Sequence, residues 1–234
     1  MGFILLAGGS EFKGQMAIPD RVAIDLAGGF DSLISIIPAA AKPDNNHQRA
    51  GQNGKEWFAG LGATHVTVVP LIDRKSADYP EIIEILGQTK LFYLLGGFPG
   101  HLAQTLKGSL GWQTIITAWQ KGAVIAGSSA GAMVLCEYFY NPKAGRIVSG
   151  LNLIKSICIL PHHNTFGKGW APSLKQKLPQ TILVGIDEET ACISGVSEGN
   201  WRVHGRGEVT LYQNEQTRRF SSGQEFELPC GYYE

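Results

Sequence analysis

Two periodicities of apolar and polar positions share the first 140 residues of this chain. Short aliphatic runs at 3–7, 32–38, 66–70 and 91–95 are continuous rather than alternating, the mark of strands buried on both faces. Between them lie longer segments of helical period, at 20–27, 46–61, 79–86 and 112–121. Punctuation agrees with that division: Gly28-Gly29 closes the first helix, Asp78 opens the third, and Gly96-Gly97 follows the fourth strand. A further apolar run, Ala123-Val124-Ile125-Ala126, leads through Gly127-Ser128-Ser129-Ala130-Gly131 into a helix expected from 130 to about 140. Alternation of strand and helix predicts an α/β fold, a mostly parallel sheet with helices on both faces. After Lys143 the rhythm changes. Segments 147–154, 157–160, 182–186 and 201–212 read mainly as strands, extending the same sheet or forming an antiparallel edge. With no repeat, low-complexity run or long linker, residues 1–234 read as a single catalytic domain.

The segment around Ser129 carries the most chemistry. A β-prone run, a serine with glycines two positions either side, and a following helix make the grammar of a nucleophile elbow. The turn is crowded, and a side chain at either glycine would meet the neighbouring turn. The rule for open α/β sheets puts ligands beyond the carboxyl ends of the strands. It gathers four loops: Gly8 to Glu11, Gly96 to Phe98, Gly127 to Gly131, and Pro161 to His163.

A serine hydroxyl needs a base, and the base needs an orienting partner. Of the six histidines, His47, His65, His101 and His204 lie in surface helices, a turn or a polar strand, whereas His162 and His163 end an apolar strand at the expected rim. One of these two is the expected base. Asp187-Glu188-Glu189 follows another buried strand, with Glu188 the favoured acid and its two neighbours as rivals. The Ala130 N–H at the start of the elbow helix and a glycine N–H from Gly96-Gly97 are candidate donors to an oxyanion, each worth about 3 kcal/mol to a transition state. The order serine, histidine, acid differs from that of the α/β-hydrolases, where the acid precedes the histidine.

Composition narrows the rest. Lys plus Arg balance Asp plus Glu, 20 against 20, so no net field draws nucleic acid or an anionic membrane. No stretch approaches the roughly 20 apolar residues of a membrane span. Cys136, Cys158, Cys192 and Cys230 are widely separated, which indicates neither a zinc site nor a disulfide framework and fits reduced thiols in a cytoplasmic protein. Gly8-Gly9 lacks the spacing of a dinucleotide loop, and Gly51 to Lys55 is too short for a P-loop. No metal or cofactor is expected.

Leu6-Ala7-Gly8-Gly9, Ile37-Pro38-Ala39-Ala40, Leu95-Gly96-Gly97, Ala126 to Ala132, Leu160-Pro161-His162 and Gly185 to Ala191 occur in an order that resembles the serine dipeptidase family of dipeptidase E and the cyanophycinases. These are relatives of class I glutamine amidotransferases with serine at the cysteine position. The resemblance implies a flavodoxin-like three-layer fold and a serine peptidase acting on small peptides or isopeptides. It implies Ser129 as nucleophile, His162 as base, Glu188 as orienting acid, and Gly97 and Ala130 as the oxyanion hole. Family members cleave beside aspartyl residues or at β-linked aspartyl-arginine. Cyanophycinases carry aspartate and glutamine before the histidine and arginines after it. This chain has Leu160-Pro161 before and Asn164-Thr165-Phe166-Gly167-Lys168-Gly169-Trp170 after, without arginine. Phe98, His163, Lys168 and Glu11 are the remaining candidates for substrate contact. A small peptide is the expected partner, and a homodimer is an allowed assembly. Two other readings compete: a catalytically silent member that binds a peptide or small acid, and an esterase or amidase.

Overall fold

A computed structural model describes residues 1–195 and 199–229. The aliphatic runs form β1 (Ile4–Ala7), β2 (Ile34–Ile37), β3 (Val66–Val68), β4 (Leu91–Leu94) and β5 (Val124–Ser128), which pair in parallel in the order β1-β5-β4-β2-β3. Alternate side chains of one strand serve two cores. Ile4 and Leu6 pack with residues of α3 (Pro80–Gln88), α4 (Pro99–Leu106) and α5 (Leu110–Gln120), while Leu5 and Ala7 pack with α1 (Ala17–Leu26) and α2 (His47–Gly60). Burial on both faces is why the runs of β1, β2, β4 and β5 are continuous, while the edge strand β3 is half-buried, and the result is the expected α/β layering.

The third helix begins one residue later than its acidic opener suggested. Pro80 sits at its start, and Asp78 instead accepts a hydrogen bond from the Leu110 N–H at 2.7 Å. Helix α4 was not foreseen, because Gly96-Gly97 reads as a turn and no helical segment is expected between it and residue 112. The fixed φ and missing N–H of Pro99 suit its first turn.

The elbow helix α6 (Ala130–Leu135) stops well short of residue 140. Cys136 is already extended (φ −76°, ψ 168°), and Tyr-Phe-Tyr at 138–140 favours strand. It forms β6 (Tyr138–Asn141), paired with β7 (Arg146–Ser149) in a separate two-stranded hairpin. Residues 150–154, expected to continue as strand, run beneath the helix end. The N–H groups of Leu151 and Leu153 donate to the carbonyls of Val134 and Leu135 at 2.7 and 2.9 Å, satisfying acceptors that a truncated helix leaves open.

Part of the late region extends the first sheet at an antiparallel edge, as expected, and the rest forms a second sheet that the sequence reading did not anticipate. β10 (Thr190–Ser194) lies antiparallel beside β1, and β11 (Asn200–Gly205) and β14 (Glu225–Glu227) follow it outward, giving an eight-stranded sheet. β8 (Ile157–Leu160), β9 (Ile182–Ile186), β12 (Glu208–Gln213) and β13 (Gln216–Ser221) form a second sheet, with α7 (Ala171–Lys177) between β8 and β9. The stretch 201–212 is therefore two strands broken at Gly205, whose φ of +106° suits glycine. Cys136, Cys158 and Cys192 are buried free thiols, and burial pushes Cys158 up to about 12; Cys230 lies outside the described residues. Among the described residues no helix is long and apolar enough to cross a membrane.

Candidate active site

Ser129 occupies a backbone conformation (φ +48°, ψ −108°) that L-residues rarely adopt, at a cost on the order of 1–3 kcal/mol. The turn is held on both sides: the Ser129 N–H donates to the Ala7 carbonyl at 2.9 Å, and the Ser129 carbonyl accepts the Met133 N–H at 3.0 Å. The flanking glycines have a steric reason. A Cβ on Gly127 would lie 2.5 Å from the Gly131 carbonyl carbon, and one on Gly131 would lie 2.1 Å from the Leu94 carbonyl oxygen.

His162 comes from the second sheet and is carried to the same rim by backbone contacts. Its N–H donates to the Gly8 carbonyl at 2.7 Å, while the Glu189 N–H donates to the Gly9 carbonyl at 3.1 Å. The loops after β1, β8 and β9 are thereby laced together. His162 Nε2 lies 3.0 Å from Ser129 Oγ, and His162 Nδ1 lies 2.8 Å from Glu188 Oε1. An ionised carboxylate only accepts, so Nδ1 carries the proton toward Glu188 and Nε2 is left to accept from the serine hydroxyl. The hydrogen bond from His162 holds the Glu188 carboxyl below its usual range, helped by its charge and by Ser10. The Glu188 N–H donates to Asn164 Oδ1 at 3.0 Å, fixing the acid from behind.

The positive φ of His162 (+50°) separates the two adjacent histidines. His162 faces Ser129, whereas the next side chain is buried in the second sheet. His163 Nε2 meets the Tyr212 hydroxyl at 2.9 Å and Nδ1 lies 3.4 Å from Asp187 Oδ1. Burial lowers its pKa, the nearby Asp187 notwithstanding. His163, expected among substrate contacts, is thus a buried prop at 6% exposure, because β9 leaves it a slot at Gly185, where a Cβ would lie 2.3 Å from its ring. Asp187 also receives the Glu208 N–H at 3.0 Å, so of three consecutive acids only Glu188 reaches His162.

Gly9 packs against the imidazole: a Cβ there would lie 2.2 Å from His162 Cε1, at a φ of +119° that already favours glycine. Gly9→Ala should displace the ring and lower kcat by about 10²-fold, since displacements of about 1 Å cost that much. Steady-state kinetics alongside an unchanged far-ultraviolet spectrum would check this; a fully active Gly9→Ala protein would contradict it.

Glu11 turns inward instead of toward open solvent. Ser128 Oγ donates to Glu11 Oε2 at 2.8 Å and the Gly96 N–H donates to Oε1 at 3.3 Å, so one carboxylate ties the elbow to the Gly96-Gly97 loop. Ser10 and Phe12 on either side have φ of +58° and +63°, strain concentrated where this carboxylate is aimed. Gly97 (φ +133°) is pressed against Ala40, whose carbonyl oxygen would lie 2.4 Å from a Cβ. The Gly97 N–H has no backbone acceptor among the described residues, and the Ala130 N–H, first in α6, has none within its helix. Phe98 is half-buried with Lys143 Nζ 5.2 Å above its ring, and Lys168 is exposed on the turn after His162.

A cavity of about 630 Å³ adjoins Glu11, lined also by Ser10, Lys13, Arg49, Glu56 and Trp57. Arg49 and Lys13 make no ion pair among the described residues. Trp57 is anchored from behind, its Nε1 donating at 2.8 Å to Asp20, a carboxyl that burial pushes up to about 8. Sequence reasoning did not connect Lys13 or Arg49 to the site; helix α2 read only as a surface helix. Among the described residues no group of three or more His, Cys, Asp or Glu side chains could hold a metal ion.

A strained serine, an imidazole and a carboxylate in line at the rim of a parallel sheet define the class: a serine hydrolase on a three-layer α/β fold. Residues 4–198 match the model of peptidase family S51, and the chain belongs to that family and is a serine peptidase. It is 28% identical over 222 residues to a cyanophycinase of Synechococcus elongatus, covering 90% of this chain and 67% of that one. Its fold superposes on the crystal structure of a peptidase from an acI-B1 Actinobacterium with a TM-score of 0.87 at 29% identity, over 97% of each chain. A putative peptidase E protein from Listeria monocytogenes EGD-e shares the fold (TM-score 0.67, 18% identity), over 88% of this chain and 100% of that one.

Proposed function

We propose that Ser129 attacks the carbonyl carbon of a small peptide, with His162 as general base and Glu188 holding the imidazole. The observation that carries this reading is the continuous line Glu188 Oε1, His162 Nδ1, His162 Nε2, Ser129 Oγ, with contacts of 2.8 and 3.0 Å. As the Oγ–C bond forms, the hydroxyl proton passes to Nε2 and the carbonyl electrons go to oxygen. The Gly97 and Ala130 N–H groups receive that oxyanion in this reading, which is supported by the Gly97 N–H lacking a backbone acceptor among the described residues and by Ala130 standing first in α6. Collapse breaks the C–N bond, and the imidazolium returns its proton to the leaving amine. Water then repeats the sequence on the acyl-enzyme. Contact between Ser129 and His162 favours this over a silent binding protein, which would tolerate a gap.

The cavity beside Glu11 supports a short substrate. Two cations and two carboxylates there suit the charged end of a small peptide better than a long apolar chain. The catalytic loops come from both sheets, which supports reading the chain as one catalytic domain, and buried free thiols fit a cytoplasmic setting. A dipeptide and isopeptide library, with amino-acid esters run in parallel, tests the reading. Amide cleavage by the wild type with selectivity at the acyl residue is expected. Ester cleavage without any peptide turnover would favour the esterase reading instead.

A further inference from the structure

The wall beside His162 carries a feature that proton transfer alone does not require. Phe166 is 56% exposed, yet its ring stacks on the imidazole with centroids 4.8 Å apart and planes 25° apart. Of the exposed large hydrophobic side chains among the described residues, it is the one in ring contact with the proposed triad. Behind it the aromatic series continues: Trp170 lies 5.5 Å from Phe166, and Tyr140 lies 5.0 Å from Trp170. Trp170 and Tyr140 pack on the buried cluster of Cys158, Leu160, Leu174 and Leu183. Phe166 is therefore the outer end of an anchored aromatic shelf.

Chemistry fixes which part of the substrate meets that shelf. When the tetrahedral intermediate collapses, the C–N bond breaks, its electron pair stays on nitrogen, and the proton on His162 Nε2 passes to that nitrogen. The departing amine must then lie within about 3 Å of Nε2. The residue it belongs to consequently lies on the imidazole side of Ser129, where Phe166 is the exposed ring. An apolar side chain there would remove the free phenyl surface from water, and an aromatic one would also stack.

Resting on the peptidase reading above, we propose that Phe166 forms the leaving-group subsite and selects peptides whose released residue is apolar or aromatic. The test compares dipeptides with one favoured acyl residue and leucine, phenylalanine, glycine, arginine or aspartate as the released residue. Wild type should prefer leucine and phenylalanine. Phe166→Ala should lower kcat/KM for those two about tenfold relative to glycine, the scale of a lost apolar contact. Phe166→Arg should shift preference toward aspartate. A uniform fall across all released residues would overturn the proposal and leave Phe166 as a positioning residue for His162. An unaltered profile would overturn it too. In both cases normal phosphonate labelling of Ser129 in the variants would leave the peptidase reading standing, whereas a wild type that cleaves no peptide at all would overturn both.

Discussion

Ser129→Ala should lower kcat on the library's best peptide by on the order of 10⁴- to 10⁶-fold, with KM changed little. The alanine removes the atom that bonds to the substrate and leaves the elbow's constraints in place. Those constraints are backbone ones: the 2.9 Å bond to Ala7, the 3.0 Å bond to Met133 and the glycine packing on either side. The folded state should change little, because alanine keeps the Cβ and meets the same backbone constraints as serine. Residual turnover above background would come from the oxyanion donors and binding alone. A variant that retained more than about one per cent of the wild-type rate would contradict nucleophilic attack by this hydroxyl.

Glu188→Gln should lower kcat by about 10³- to 10⁴-fold while the three-residue geometry persists. The glutamine amide can donate to Nδ1, which would move the ring proton to Nε2 and leave no acceptor for the serine proton. It also lacks the charge that stabilises the imidazolium. The same substitution has a stability signature. Because the folded state holds this carboxyl below its usual range, ionised Glu188 contributes stability above the unfolded value of about 4.3. That contribution fades as pH falls through the lower folded value. Thermal melts of wild type and Glu188→Gln should therefore differ near pH 7 and draw together as pH falls below the unfolded value of about 4.3. A gap that widened on acidification would show that the folded state favours the protonated acid, contrary to an ionised carboxylate accepting from His162.

Much of the site was legible because its residues answer to local rules. The Gly127 and Gly131 spacing reflects backbone contacts under 3 Å, and such contacts exclude every side chain regardless of the rest of the fold. The order serine, histidine, acid is plain along the chain, the sheet rule brought the serine and histidine turns to one rim, and the acidic turn stood out because it follows a buried strand. Long-range packing was not legible. Nothing local to Pro161-His162-His163 says which ring turns outward; that depends on the backbone reversal at His162 and on the slot that Gly185 leaves beneath Tyr212. Glu11 read as a candidate substrate contact, and its tie between the elbow and the Gly96-Gly97 loop was hidden because its two donors, Ser128 and Gly96, are 117 and 85 residues away. The elbow helix was drawn too long because its apolar pattern runs on through Phe139, and only the hairpin with β7 shows that those residues are strand. Likewise β10 hid behind an acidic turn, being defined by its antiparallel register with β1.

Covalent labelling addresses the catalytic line most directly. A serine-directed aryl phosphonate, incubated with the wild type and followed by peptide mapping in a mass spectrometer, should leave one adduct, on Ser129. Labelling should be absent from Ser129→Ala and strongly slowed in His162→Ala. An adduct on another residue, or equal labelling of wild type and Ser129→Ala, would contradict the assignment.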